Sequence, residues 1–253
     1  MPIDTLSPIP LKYRPRKFSD LIGQELIVKT IQNAIKLKRI ANAYLLTGVR
    51  GVGKTTSARI IAMSLNCQSI DSEKDEFQEP CGICDNCKSI SESRSVDVLE
   101  MDAASRTGIS DIRELIEGVQ YAPISSKYKI YIIDEVHMLS KAAFNALLKT
   151  LEEPPSDVLF IFATTEIEKI PVTVLSRCQK FNLKRIDNKI MSKYLKTISE
   201  KESISVNDES LNIICNASEG SMRDALSILD QAISLCEGNI SQEKLSEMLN
   251  LNN

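Results

Sequence analysis

The feature that most constrains the fold is a glycine-rich stretch that follows the apolar run Ala43 to Leu46. It fits the pattern G-x-x-x-x-G-K-T, and a helical pattern, Thr55 to Leu65, comes directly after it. Glycines let backbone N–H groups turn inward around a polyphosphate at a helix N-terminus. Lys54 is expected to reach the β- and γ-phosphates, and Thr55 to bind Mg²⁺ through its hydroxyl. The predicted nucleotide-binding residues of this loop are Gly48, Val49, Arg50, Gly51, Val52, Gly53, Lys54, Thr55 and Thr56.

A second apolar run, Lys129 to Ile133, ends in the two acidic residues Asp134 and Glu135. This order is typical of a buried parallel strand that places acids at the ligand-binding edge of a sheet. The glycine-rich stretch described above is a P-loop pattern, and beside a P-loop a strand that ends in two acids is a Walker B pattern. Asp134 is expected to hold Mg²⁺ through water, and Glu135 to act as the general base for the attacking water.

A threonine at a strand end and one arginine are further candidates for the same chemistry, and one histidine has no assigned role. The buried-strand pattern Val158 to Ala163 ends in Thr164 and Thr165, and a threonine there can sense the γ-phosphate through water. Arg177 has no helical partner at i±4 spacing, so it either reaches a phosphate or pairs with a local carboxylate. His137 is the only histidine of the chain, and the sequence leaves its role open.

Two aromatic residues stand near the N-terminus, before the helical pattern Leu26 to Leu37. Tyr13 and Arg14 can lie against a purine ring or a phosphate of the bound nucleotide. Alternatively, Tyr13 and Phe18 simply close an edge of the hydrophobic core.

Four cysteines have the spacing C-x13-C-x2-C-x2-C within residues 65–90: Cys67, Cys81, Cys84 and Cys87. Four thiolates at this spacing favour a closed, structural zinc site. An iron–sulfur cluster fits less well, because the fourth cysteine lies upstream of the triplet. Unligated thiols are the remaining alternative.

A polar cluster that includes Arg106 and Arg113 lies near the start of a predicted helix, Ile109 to Val119. A helix N-terminus of this kind can hold a DNA phosphate. Ordinary solvated charges at a helix start explain the pattern equally well.

From Leu183 onward the pattern becomes helical, which predicts a nucleotide-binding domain over residues 1–182 and a helical domain over 183–253. Arg223 falls in the first turn of a predicted helix, where a cation opposes the helix dipole unless an anion lies nearby. The predicted helices cover residues 188–202, 208–218, 221–236 and 241–249.

Composition limits the alternatives. A net charge of −3 argues against nonspecific nucleic-acid binding, and 43% hydrophobic with 26% charged residues indicates a soluble globular protein. The sequence shows no membrane span and no signal peptide, so we expect a cytoplasmic protein without a membrane partner.

Taken in order, these motifs resemble the bacterial AAA+ clamp-loader ATPases. The segments that carry the resemblance are the P-loop, the four cysteines and residues 13–15, 102–107, 119–123, 133–139, 144–155, 163–165, 175–178 and 220–226. The resemblance implies an α/β fold with a RecA-like parallel five-stranded sheet, an inserted zinc knob and a small three-helix lid domain. The family's collar domain is expected to be absent from this chain, which ends at Asn253, just after the lid.

The same resemblance assigns site residues. It makes Thr165 sensor 1, Arg223 sensor 2, and Arg177 an arginine finger that acts on the ATP of a neighbouring subunit. It also matches Arg106 and Arg113 to positions that the family places near DNA.

The resemblance further implies an ATPase of a DNA polymerase holoenzyme that uses ATP, Mg²⁺ and Zn²⁺ to open a sliding clamp and load it onto primed DNA. The implied partners are the delta and delta-prime subunits, further copies of the ATPase subunit, the sliding clamp, primer–template DNA and, in longer relatives, the polymerase core. Two alternatives remain. One is a nucleotide-dependent scaffold without efficient hydrolysis, and the other is a helicase motor of the D-E-x-H type.

Overall fold

The computed structural model describes residues 7–70, 77–105, 109–236 and 239–250. Within these residues the chain divides into two compact units. The first unit comprises the described residues of Pro15–Gly48 and Lys54–Leu183. The second unit comprises residues 7–14, Val49–Gly53 and the described residues of 184–250. The sequence did not indicate that residues 7–14 and 49–53 group with the C-terminal segment, and the boundary after residue 182 stays a prediction.

The first unit contains a sheet of five parallel strands in the order β2-β3-β4-β1-β5. The strands are β1 (Ala43–Thr47), β2 (Val98–Asp102), β3 (Lys129–Asp134), β4 (Val158–Thr164) and β5 (Gln179–Asn182). The prediction of a five-stranded parallel sheet is confirmed.

Helices fill most of the remaining described chain. In chain order they are α1 (Ile9–Lys12), α2 (Glu25–Lys36), α3 (Lys54–Asn66), α4 (Asp85–Ser91), α5 (Ile109–Val119), α6 (Lys141–Glu152), α7 (Val172–Leu175), α8 (Asn188–Lys201), α9 (Asp208–Ala217), α10 (Met222–Cys236) and α11 (Gln242–Met248). Helices α2 to α7 belong to the first unit, and α1 with α8 to α11 to the second.

Burial explains why the central strands are nearly continuous apolar runs. Every residue of β1 and β4 is buried, because the sheet is covered on both faces. On one face Tyr131 stacks on Phe160 and Phe160 on Phe162, with ring centroids 5.4 and 5.9 Å apart. Ile112 of α5 and Leu147 of α6 belong to the same core.

The register of the sheet decides where the functional residues lie. Thr47 at the end of β1 pairs with Thr164 at the end of β4, and Ile133 of β3 pairs with Phe162 of β4. The segments that follow β1, β3 and β4 therefore leave the sheet at the same carboxyl edge, where open α/β sheets bind their ligands.

In the second unit, α8, α9 and α10 are the three helices of the predicted lid domain, and the shorter α11 follows them. Each begins and ends within one residue of its predicted bounds. The two-residue strands β6 (Ser205–Val206) and β7 (Asn239–Ile240) pair in parallel beside them. Helix α10 is capped as its S-x-x-D pattern indicates, because Ser221 Oγ accepts a hydrogen bond from the backbone N–H of Asp224 at 3.2 Å.

Candidate functional site

The glycine-rich loop joins β1 to α3 and bends through positive φ angles. Gly48, Gly51 and Gly53 have φ of 141°, 76° and 101°. Only glycine adopts such angles without strain. The loop residues Val49 and Arg50 are exposed and Val52 is buried, whereas Thr56 is half-buried.

Lys54, the first residue of α3, has a nearly buried side chain. Its ammonium donates a hydrogen bond to the Gly48 carbonyl oxygen at 2.9 Å. Burial lowers the pKa of Lys54, and the nearby carboxylates of Glu135 and Asp134 oppose that shift. The lysine charge therefore lies at the same edge as Asp134, the last residue of β3, and Glu135, which follows it.

The Thr55 hydroxyl and the Asp134 carboxylate are hydrogen-bonded to each other. The second oxygen of Asp134 accepts a hydrogen bond from the backbone N–H of Glu135 at 2.9 Å. A hydroxyl and a carboxylate side by side are the hard oxygen ligands that Mg²⁺ prefers, so the two residues predicted to hold Mg²⁺ fit such an ion.

Glu135 has a left-handed backbone conformation, with φ of 46° and ψ of 43°. Such a conformation is uncommon outside glycine and is often found at functional sites. The Thr165 hydroxyl, which follows β4, donates to a carboxylate oxygen of Glu135 at 3.2 Å. The structure thus brings together Lys54, Thr55, Asp134, Glu135 and Thr165, and their roles toward a nucleotide stay predictions.

In the second unit, the loop segment Val49–Gly53 contacts the start of α10. The backbone N–H of Arg223 lies 3.4 Å from the Gly51 carbonyl oxygen. The side chain of Arg223 is exposed. A Cβ atom at Gly51 would lie 1.9 Å from Ser221 Oγ and 3.0 Å from Ser221 Cβ. Gly51 is therefore required both for its φ angle and for its close approach to Ser221.

We expect Gly51→Ala to destabilise the nucleotide-free protein far more than Gly82→Ala. Gly82 has a similar φ of 71°, but a Cβ there would meet nothing within 4 Å, so that variant incurs only the backbone strain of about 1 kcal/mol. The contact with Ser221 should add at least about 2 kcal/mol to the loss at Gly51. Chemical denaturation measures the free energy of unfolding of both alanine variants. Adding Ser221→Gly should recover part of the Gly51→Ala loss, and equal losses for the two alanine variants would contradict the explanation.

Arg177 pairs with a carboxylate in this chain. Its guanidinium donates to Glu152 at 2.5 Å and to the Thr173 carbonyl oxygen at 2.6 Å. The ion pair is partly exposed, and such pairs contribute about 0–1 kcal/mol, so Arg177 can be released at little cost. The arginine-finger role stays a prediction.

Tyr13 belongs to the second unit, where its hydroxyl donates a hydrogen bond to Glu202. Burial, followed by that hydrogen bond, raises the pKa of Tyr13 to about 12. Lys12 forms an ion pair with the same carboxylate at 2.6 Å. Arg14 is half-buried, and the purine contact predicted for Tyr13 and Arg14 stays a prediction. Phe18 is buried and packs edge-to-face on Phe77, as expected for a residue that closes the core.

The two arginines predicted to lie near DNA differ in what the structure says of them. Arg113 is exposed on α5, and Arg106 lies outside the described residues.

The sulfur atoms of the four clustered cysteines all lie within 4.8 Å of one another. Tetrahedral zinc, with bonds of about 2.3 Å, places its sulfur ligands about 3.8 Å apart. Backbone N–H groups donate to these sulfurs, from Cys84 to Cys81 at 3.3 Å and from Cys87 to Cys84 at 3.4 Å. Such donors stabilise thiolates, so the cluster fits a zinc ion.

Two thiols of the cluster, those of Cys81 and Cys87, have shifted pKa values. Burial raises the pKa of Cys81, but hydrogen bonds from Ser69 and from the N–H groups of Ile83 and Cys84 outweigh it and lower the pKa to about 6. Burial raises the pKa of Cys87 well above its usual range. The cluster therefore combines a readily ionised, partly exposed thiol with a buried one.

Comparison with known proteins gives a consistent set of similarities. A family profile described as "DNA polymerase III, delta subunit" matches residues 23–187, and one described as "DNA polymerase III clamp loader subunit, ATPase lid domain" matches residues 190–238. The DNA polymerase III subunit tau of Escherichia coli is 49% identical over 94% of this chain, and that of Bacillus subtilis is 51% identical over 88%. The chain spans 36% and 38% of these two relatives.

Solved structures of similar fold include the RuvB Holliday junction branch migration motor of Thermotoga maritima. That structure has a TM-score of 0.67 and 19% identity, and the match covers 95% of this chain and 73% of RuvB. The likeness confirms the RecA-like AAA+ fold. Within the residues that the structure describes, every helix is too short or too polar to span a lipid bilayer.

Proposed function

Because the chain belongs to the clamp-loader subunits of DNA polymerase III, on the gamma/tau branch, we propose that it is an ATPase whose ATP binding and hydrolysis load the sliding clamp onto primed DNA. The observation that carries this proposal is the meeting of a P-loop lysine, a Thr55–Asp134 pair and a Glu135–Thr165 pair at one edge of the sheet.

Each residue of this edge has a distinct proposed task. Lys54 neutralises the β- and γ-phosphates, and Glu135 accepts the proton of the attacking water. Thr55 and Asp134 hold Mg²⁺, which neutralises charge on the phosphates when it is bound. Thr165 orients Glu135 and the water as sensor 1.

Two arginines complete the proposed site. Arg223 contacts the nucleotide as sensor 2, and Arg177 leaves Glu152 to reach the ATP of a neighbouring subunit. An arginine supplied in this way increases phosphoryl-transfer rates by about 10³ to 10⁵. The proposed partners are the delta and delta-prime subunits, further copies of this subunit, the clamp and primed DNA, which Arg113 and Arg106 contact.

Reconstitution with these partners tests the proposal. We expect slow ATP turnover by the chain alone and faster turnover with the partner subunits, clamp and primed DNA. Arg177→Ala should reduce the stimulated turnover by about a hundredfold or more, whereas Arg94→Ala, which removes an exposed arginine paired with Glu92, should not. Rapid turnover by the chain alone, independent of its concentration and unaffected by Arg177→Ala, would refute the arginine-finger assignment.

We further propose that the four-cysteine cluster holds one structural zinc ion. Cys87→Ser should abolish zinc binding and lower Tm, because zinc bound only to the folded state stabilises it. Cys178→Ser is the matched control, since Cys178 is a free cysteine outside the cluster and its replacement should leave one zinc per chain. Elemental analysis and thermal melts measure both effects. Iron in place of zinc, or equal zinc content in the two variants, would contradict the assignment.

A further inference from the structure

The one histidine of the sequence lies beside the proposed catalytic base, and the proposed function gives it no task. His137 belongs to a single 3₁₀ turn, Val136–Met138, that directly follows Glu135. Only 6% of its side chain is exposed. A nearly buried imidazole next to a general base calls for an account of where its proton lies.

Both ring nitrogens of His137 have polar neighbours. Nε2 lies 3.1 Å from a carboxylate oxygen of Glu166, and Nδ1 lies 2.8 Å from the Thr164 hydroxyl oxygen. Nδ1 is also 3.4 Å from a carboxylate oxygen of Glu135. The ring thus connects the turn after β3 with the end of β4.

The surrounding groups select one proton arrangement for the ring. Glu166 forms an ion pair with Lys169 at 2.7 Å, which lowers the pKa of the Glu166 carboxyl, so this carboxylate only accepts and Nε2 must donate. The Thr164 hydroxyl oxygen already accepts from the Glu166 backbone N–H at 3.0 Å, and its own proton is free to point at Nδ1.

The distances at Nδ1 agree with an accepting nitrogen. A protonated Nδ1 would draw the Glu135 carboxylate to about 2.7–2.9 Å, the usual length of a charge-assisted hydrogen bond. The observed separation is 3.4 Å, whereas the hydroxyl is at 2.8 Å. Two accepting atoms face each other across the longer gap, so the carboxylate takes its hydrogen bond from Thr165 at 3.2 Å instead.

We propose that His137 is a positioning residue for Glu135: its ring, fixed by Glu166 and Thr164 with the proton on Nε2, keeps the Glu135 carboxylate off the ring and directed at Thr165. The inference rests on the proposed function, in which Glu135 is the base. A carboxylate that bonds to no cation remains able to accept a proton from water. The same ring also holds Thr164 and Glu166, which flank Thr165, so one side chain fixes both members of the Glu135–Thr165 pair.

The proton position on the ring can be measured by NMR without any ATP hydrolysis. The sequence has a single histidine, so its ring signals need no assignment among several residues. In the chain labelled with ¹⁵N-histidine, we expect the proton on Nε2 at neutral pH and a hydrogen-bonded, unprotonated Nδ1. Thr164→Val should move the Nδ1 signal toward that of an unbonded nitrogen, and Thr164→Ser, which retains the hydroxyl, should not. A proton on Nδ1, or on both nitrogens, would overturn the inference.

The kinetic consequence is tested in the assembled ATPase with three variants. His137→Ala should lower kcat about tenfold or more and leave the Kd for ATP within about threefold, as expected when an orienting group is lost. His137→Asn should retain more of kcat than His137→Gln. The amide of asparagine falls at the position of Nδ1, whereas that of glutamine falls at Nε2.

A role in packing alone predicts a different result, namely kcat values that follow Tm across the three variants, and that result would overturn the inference. A parent protein that shows the expected ring signals and binds ATP without hydrolysing it would overturn the proposed function and support the placement of the ring. The two failures are therefore distinguishable.

Discussion

Glu135→Gln is expected to reduce ATP hydrolysis by about a thousandfold and to leave ATP binding nearly unchanged. The amide has the shape of the carboxylate and can still accept the hydrogen bond from Thr165, but it cannot take a proton from water. Lys54, Thr55 and Asp134 are unaltered in this variant, so the groups proposed to hold the triphosphate and its magnesium remain. Single-turnover hydrolysis and equilibrium binding of ATP measure the two effects separately.

Glu153→Gln serves as the control for that variant. Glu153 is an exposed acid just after α6, and its replacement should leave turnover unchanged. A nucleotide-dependent scaffold would give the same negligible turnover for the parent and for Glu135→Gln. Unchanged, substantial turnover in Glu135→Gln would show that another group is the base.

The parts of the fold that the sequence predicted are those with local signals. The P-loop pattern requires a strand before it and a helix after it, and β1 and α3 lie where the pattern places them. Helix α5 has the bounds predicted from its periodicity, Ile109–Val119. Strands β3 and β4 were recognisable because burial on both faces makes their sequences almost continuously apolar.

Strand β5 shows where pattern reasoning fails. Gln179–Asn182 contains one apolar residue, Phe181, and it is the one buried residue of the strand. This edge strand forms because β1 offers it a free hydrogen-bonding edge, not because its own residues favour a strand. Only the family resemblance, which implies five strands, indicated its existence.

The contacts that the sequence missed join residues far apart in the chain. Arg177 pairs with Glu152 and Tyr13 with Glu202, and neither partner falls at a helical or strand spacing. His137 was recognised as unusual, but its neighbours Thr164 and Glu166 come from a different strand end. A pattern within one element cannot specify such pairs, because they depend on how separate elements pack.

Lys54→Met is expected to weaken ATP binding by about a hundredfold or more, close to 3 kcal/mol, without lowering the stability of the nucleotide-free protein. The lost affinity reflects the loss of the positive charge proposed to contact the β- and γ-phosphates.

The stability of the nucleotide-free protein should not fall, because Lys54 is 6% exposed and burial lowers its pKa. Between the folded and the unfolded pKa of Lys54, the folded state therefore binds fewer protons than the unfolded state. The contribution of Lys54 to the free energy of unfolding consequently rises as pH increases through that range. Methionine fills similar space without a charge and removes this cost, which offsets the loss of the single hydrogen bond from Lys54 to the Gly48 carbonyl oxygen.

Lys129→Met provides the matched comparison, since Lys129 is the other buried lysine among the described residues. Its ammonium donates to the carbonyl oxygens of Gly118 at 2.6 Å and Tyr121 at 3.2 Å, away from the P-loop segment. Removing that group leaves two carbonyls without their donor, so Lys129→Met should lower Tm and leave ATP affinity unchanged. The two variants should thus affect different quantities. Lys54→Met should lose ATP affinity, and Lys129→Met should lose thermal stability. A Lys54→Met protein that binds ATP as tightly as the parent would place the nucleotide elsewhere, and the proposed roles of Asp134 and Glu135 would no longer hold.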